Sequence, residues 1–288
     1  MTKSRQSSRN SGKSGLLLIS AFLAVSILGC SADIKPTYQE KDIPFLVQKI
    51  CKDEYGLDVT TRRTHTTIWI YAPVEKILHK DYGVKEDKIF DDDISEKLRN
   101  ILTTIGRVLI SSDNSPEFYV LQTSDINLGI DYTMIGSTLD TKKAYAGFLP
   151  WTESNRRYVI KFKLAPEAVG DKTGKHVRHY DITMAEFLTD QIAQRVGAAF
   201  QEENMKKYFE VKKSEGQFQD KSFRFVYAIK QTGNPPHPVT IRRKIIEIAT
   251  YCIQTYEFKD FDSIEFVDEL SNDALLLNRG AIWARPKD

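Results

Sequence analysis

Cysteine is scarce in this chain: three occur in 288 residues, Cys30, Cys51 and Cys252. Neither Gly-x-Ser-x-Gly nor His-Glu-x-x-His is present, so the local signatures of serine hydrolases and zinc proteases are missing. An excess of one charge sign is also lacking. The formal net charge is +2, which gives a general nucleic-acid role no support. Gly170-Asp171-Lys172-Thr173-Gly174-Lys175 lacks both the four-residue spacing between glycines and the Ser or Thr after Lys that a phosphate loop needs, and reads as a turn. Long apolar runs are absent except for one near the start.

That run, Leu16 to Leu28, carries no charge and follows Lys3, Arg5, Arg9 and Lys13 with no acid among them. A basic segment before a short apolar one is the pattern of a secretory signal, too short to span a bilayer as a mature helix. It ends Ile27-Leu28-Gly29-Cys30. This resembles the lipobox of bacterial lipoproteins, over the first tenth or so of the chain. The resemblance implies cleavage between Gly29 and Cys30, a diacylglyceryl thioether on Cys30 and acylation of the new amine. Two or three acyl chains anchor firmly where one does not. Ser31, and not Asp, follows Cys30; by analogy with Gram-negative sorting this favours the outer membrane, facing the periplasm. Loss of residues 1–29 would also change the formal charge from +2 to about −2, because the four cations leave with them.

Residues 30–42 read as a polar tether. Apolar residues then recur at helical spacing in 43–54, 94–110, 184–206 and 239–256. Asp93 with Glu96, and Thr183 with Glu186, read as capping boxes. Strand pairs are expected at 57–62 and 66–72, 118–122 and 128–135, 207–213 and 223–229, and 263–267 and 274–283. Cys51 and Cys252 fall on helix stripes, where a free thiol is a small core residue; an oxidising envelope would also permit a bridge between them. The order helix, strand, strand, helix, strand, strand occurs twice, in 43–135 and in 184–284. The best local match sets Trp69-Ile70-Tyr71-Ala72 against Phe225-Val226-Tyr227-Ala228, an offset of 156; farther on, Ser124 and Leu128 match Ser271 and Leu275 at 147. The expected fold is α+β: two tandem two-layer α/β sandwiches with antiparallel sheets, each helix-hairpin-helix-hairpin, resembling a permuted ferredoxin-like fold. The modules are 43–135 and 183–288. Inner strands should be 66–72 and 128–135 in the first, 223–229 and 274–283 in the second. Residues 136–182 form a basic connection with one extra strand, Tyr158–Leu164, and otherwise exposed.

Within 141–180, nine Lys and Arg face Glu153, Glu167 and Asp171. Trp151, Arg156, Arg157 and Lys161 are the candidate binding surface, suited to an acidic protein, anionic head groups or acidic glycans. His176 and His179 stand close to Asp181 and form the nearest approach to a metal-ligand set, but Lys175 and Arg178 beside them discourage a cation, so a solvated loop is the expectation. No cofactor, no metal and no catalytic residue is expected. The functional expectation is a lipid-anchored envelope lipoprotein that acts as a non-catalytic binding or assembly module with an envelope protein as partner. The alternative is an envelope hydrolase of glycan or peptide with its site between the two modules.

Overall fold

The computed structural model describes residues 37–79 and 89–285, and within it Tyr38–Asp288 is one compact unit. The signal segment, Gly29 and Cys30 lie outside the described residues. The expected tether does not extend to residue 42. Tyr38 already exchanges backbone hydrogen bonds with Ser111 and Asp113, and Arg63 pairs with Glu40.

Helix α1 (Ile43–Tyr55) starts with Pro44 in its first turn and stops at Gly56, whose φ of 66° closes the C-cap. Hairpin β1 (Thr60–Arg63) and β2 (Thr67–Val74) follows. Helix α2 (Asp92–Ile110) is capped by Asp91, which accepts from the Asp93 backbone. The cap therefore lies two residues before the expected Asp93, and the Asp92 and Asp93 charges sit in the first turn, where the helix dipole favours them. Strands β3 (Phe118–Asp125) and β4 (Ile130–Ser137) complete the first module.

Residues 136–182 are more structured than their polarity suggests. They fold as α3 (Thr138–Tyr145), α4 (Trp151–Arg157) and β5 (Val159–Leu164), which adds a fifth strand to the first sheet, and then as a strap. The second module runs α5 (Met184–Gln201), β6 (Phe209–Gln219), β7 (Ser222–Gln231), α6 (Ile241–Thr255), β8 (Ser263–Asp268), β9 (Asp273–Asn278) and α7 (Arg279–Trp283). Thr183 and Glu186 form the expected reciprocal capping box at α5. The strand expected to reach residue 283 ends at Asn278, whose side chain accepts from the Ala281 backbone and starts α7.

The fold is the expected α+β class with two sheets, ordered β1-β2-β3-β4-β5 and β6-β7-β8-β9. Each sheet is antiparallel except at its centre. There β2 pairs with β3, and β7 with β8, in parallel. The reason is topological: a helix joins each pair, and a helical crossover returns the chain to the same end of the sheet. In the second sheet β7 and β8 are therefore the inner strands. Strand β9 is an edge, with Leu276 67% exposed.

The shared topology of the two halves supports the repeat, but the letter match is out of register. Ile68, Ile70 and Ala72 face α1 and α2, whereas Trp69 and Tyr71 lie on the opposite sheet face. In the second half Phe223, Phe225 and Tyr227 face the helices. The structural equivalent of Ile70 is Phe225, because Ile70 pairs with Leu121 and Phe225 pairs with Phe266 on the helix-covered faces. A one-residue slip turns every side chain to the other face.

Cys51 lies in the first core and Cys252 in the second, and both thiols are free. Burial pushes the pKa of both up, that of Cys252 to about 12, which makes them unreactive.

Candidate functional site

The two modules meet at a buried ionic network. Arg157 at the end of α4 donates to Asp140 of α3 at 2.7 Å and to Glu153, one turn earlier, at 3.0 Å. Arg195 of α5 reaches the same Glu153 oxygen at 2.6 Å, and the Tyr251 hydroxyl of α6 donates to it at 3.0 Å. Tyr256 donates to Asp140, while Gln191 of α5 donates to the Arg157 carbonyl at 2.7 Å. Burial opposes the Glu153 charge, but the two guanidiniums outweigh it and hold its carboxyl below the usual range. Burial pushes the Tyr256 hydroxyl well above a tyrosine's ordinary pKa, helped by the Asp140 charge. Two cations thus answer two carboxylates, and every charge is hydrogen-bonded, as burial requires.

Beside this network a groove of about 650 Å³ runs between α4, α5 and α6. Its polar wall carries Arg156, Arg195, Arg243, Lys244 and Arg285 against Glu202 and Glu247, and its apolar part is Ala198, Ala199, Ile248 and Tyr251. Arg243 takes Glu247 at 2.8 Å, and Arg156 approaches Glu202 at 3.6 Å. Among the described residues, Lys244 and Arg285 have no carboxylate within ion-pair distance.

A second cluster lies on the face of the first sheet away from α1 and α2. The strap 165–182 crosses that face and packs Val177 and Ile182 against Trp69, Tyr71 and Phe118. Gly174 permits the approach: a Cβ there would meet the Tyr71 ring at 2.8 Å. The strap's polar pins are specific. His176 Nδ1 lies 2.7 Å from Asp171, and its Nε2 lies 3.3 Å from Asp131 and 3.4 Å from Ser124 Oγ. Ser124 Oγ donates to Asp131 at 2.5 Å. Burial works against the Asp171 charge, yet bonds from the His176 ring and backbone and from Thr173 hold its carboxyl well below the usual range. Asp181 accepts from Thr64 Oγ at 2.6 Å and from the Thr66 backbone at 2.8 Å, and these bonds lower its pKa to about 2.

The sequence candidates are therefore dispersed. Trp151 is 53% exposed and lies against the Tyr145 ring at 5.1 Å. Arg156 is exposed at the groove rim, and Lys161 pairs with Asp190 at 2.6 Å. Arg157 is 8% exposed, which corrects its place in the surface set: it is an interior cation of the junction. His176 is not in a solvated loop but buried among carboxylates. His179 meets the Trp69 ring edge-on at 5.6 Å, and burial lowers its pKa. The two histidines do not converge, and no group of three or more His, Cys, Asp or Glu among the described residues is placed to hold a metal ion.

Sequence reasoning missed Asp140, Arg195, Tyr251 and Tyr256, because they meet across 40 to 120 positions or so, beyond any local spacing. The only available signal was polar residues on helices that were otherwise apolar-striped. No family model, no curated protein and no solved structure matches the chain. No helix among the described residues is long and apolar enough to cross a membrane.

Proposed function

We propose that this chain is a lipid-anchored envelope protein that acts by binding and not by catalysis, with an acidic envelope protein as its partner. One observation carries the reading. The turn between α3 and α4 presents Phe148, 84% exposed, beside Trp151. Lys142 and Lys143 of α3 stand in the same segment with no carboxylate in ion-pair range among the described residues. Exposed aromatics flanked by uncommitted cations suit a protein interface, where aromatics anchor and charges select the partner.

The test is co-purification from the native envelope. A stable partner should accompany the wild-type chain and be lost from the Phe148→Ser, Trp151→Ser double variant and from Lys142→Glu, Lys143→Glu. Retention of the partner by both variants overturns the reading. So does binding of the wild-type chain to anionic vesicles when no protein partner co-purifies.

The hydrolase reading has the Ser124, His176 and Asp171 arrangement in its favour. Against it, Ser124 is fully buried and gives its proton to Asp131 and not to the imidazole. The carboxylates between the modules, Asp140 and Glu153, are each held by arginine.

A further inference from the structure

The groove between α4, α5 and α6 has more hydrogen-bond donors than its walls use. Lys244 and Arg285 are uncommitted. The Arg195 Nε–H is buried without an acceptor, and so is the hydroxyl of Thr250, a residue 3% exposed on the groove wall. Leaving a buried polar atom unsatisfied is costly, so each calls for an explanation, and a bound group in the groove would supply one for these two. Thr250 lines the groove, and its hydroxyl has no partner among the described residues. Both wall carboxylates, Glu202 and Glu247, are already paired with Arg156 and Arg243. The unspent capacity is therefore positive and donating.

The apolar part of the groove adds a second requirement. Ala198 and Ala199 leave room over α5, and Ile248 and the Tyr251 ring offer hydrocarbon and aromatic surface. From Gln194 to Glu202 the wall extends about 12 Å at the helical rise. That length and a volume near 650 Å³ match small-molecule sites more than protein interfaces.

We propose that this groove binds a small organic anion, a carboxylate or phosphate monoester on an apolar chain, with Lys244 and Arg285 on the head group and Thr250 donating to it. The site is separate from the surface assigned to a protein partner: Lys244, Thr250 and Arg285 belong to the groove and Phe148 and Trp151 do not. Failure of one therefore leaves the other standing.

The test uses the Tyr38–Asp288 unit, which holds every described element and all three cores, after a single cooperative thermal transition has shown it folded. Octyl phosphate and decanoate, below their micelle concentrations, are titrated by calorimetry beside octylamine and inorganic phosphate. Saturable binding of one anion per chain is expected. Octylamine should not bind, and inorganic phosphate should bind at least tenfold more weakly than octyl phosphate. Lys244→Glu with Arg285→Glu should weaken octyl phosphate at least tenfold, whereas Lys52→Glu, remote from the groove, should not. Thr250→Val separates function from folding: the variant should be as stable as the wild type or more so, because it removes an unpaired buried hydroxyl, yet bind three- to tenfold more weakly. The proposal is overturned if no binding saturates, if octylamine binds as well as the acids, if inorganic phosphate equals octyl phosphate, or if the groove variants bind like wild type.

Discussion

Arg157 shows how much one residue's environment decides. In sequence it is one of nine cations in a basic stretch; in the fold it is the centre of the junction, touching Asp140, Glu153 and the Tyr251 hydroxyl. Removing one partner of a buried pair leaves the other charge unanswered, which costs about 3–5 kcal/mol. Arg157→Met should therefore lower the unfolding free energy by about that much in urea denaturation, while Arg156→Met, at the exposed rim, should change it by less than about 1 kcal/mol. Equal effects of the two would mean that the network does not hold the modules together.

At the scale of elements, the strap 165–182 is the unexpected part. Its sequence is polar and Gly-containing, the composition of a loop, and the Tyr158–Leu164 alternation before it was the only regular signal. The strap is nevertheless held down by Val177 and Ile182 beneath and by pins at Asp171, His176, Tyr180 and Asp181. Asp181 makes the attachment sensitive to acid. Its carboxyl titrates near 3.8 when free and near 2 in the fold. The stabilisation is therefore present above about pH 4 and is lost as the pH falls from there towards 2. Asp181→Asn should cost about 1 kcal/mol at neutral pH, a charge-assisted bond discounted for partial exposure, and should flatten the stability decline between pH 4 and 2. An unchanged acid limb in thermal melts would remove Asp181 from the strap's attachment.

The whole molecule joins two copies of one topology through the ionic network and through an apolar cluster in which Phe187 of α5 packs on Phe118 of β3 at 5.1 Å, and not through a disulfide. Cys51 and Cys252 lie in separate cores, so a bridge would need both cores to open. The proposed anchor is the other whole-molecule feature. In the native host, Cys30→Ser should abolish fatty-acid labelling and move the chain from the membrane to the soluble fraction. Undiminished labelling of that variant would remove the anchor, and with it the envelope partner.

The chain's own residues determined the four long helices, the capping box at Thr183 and Glu186, the doubled order of elements and the positions of the two core thiols. All of these rest on contacts within a few positions, where periodicity and capping act. Tertiary structure alone decided that the central strands run parallel, that Phe225, and not Ile70's letter match Val226, faces the helices like Ile70, that β9 is an edge, and that Arg157 and His176 are interior. Each of those outcomes depends on which distant segment arrives to pair or cover, and a local pattern of apolar and polar residues carries no record of its partner.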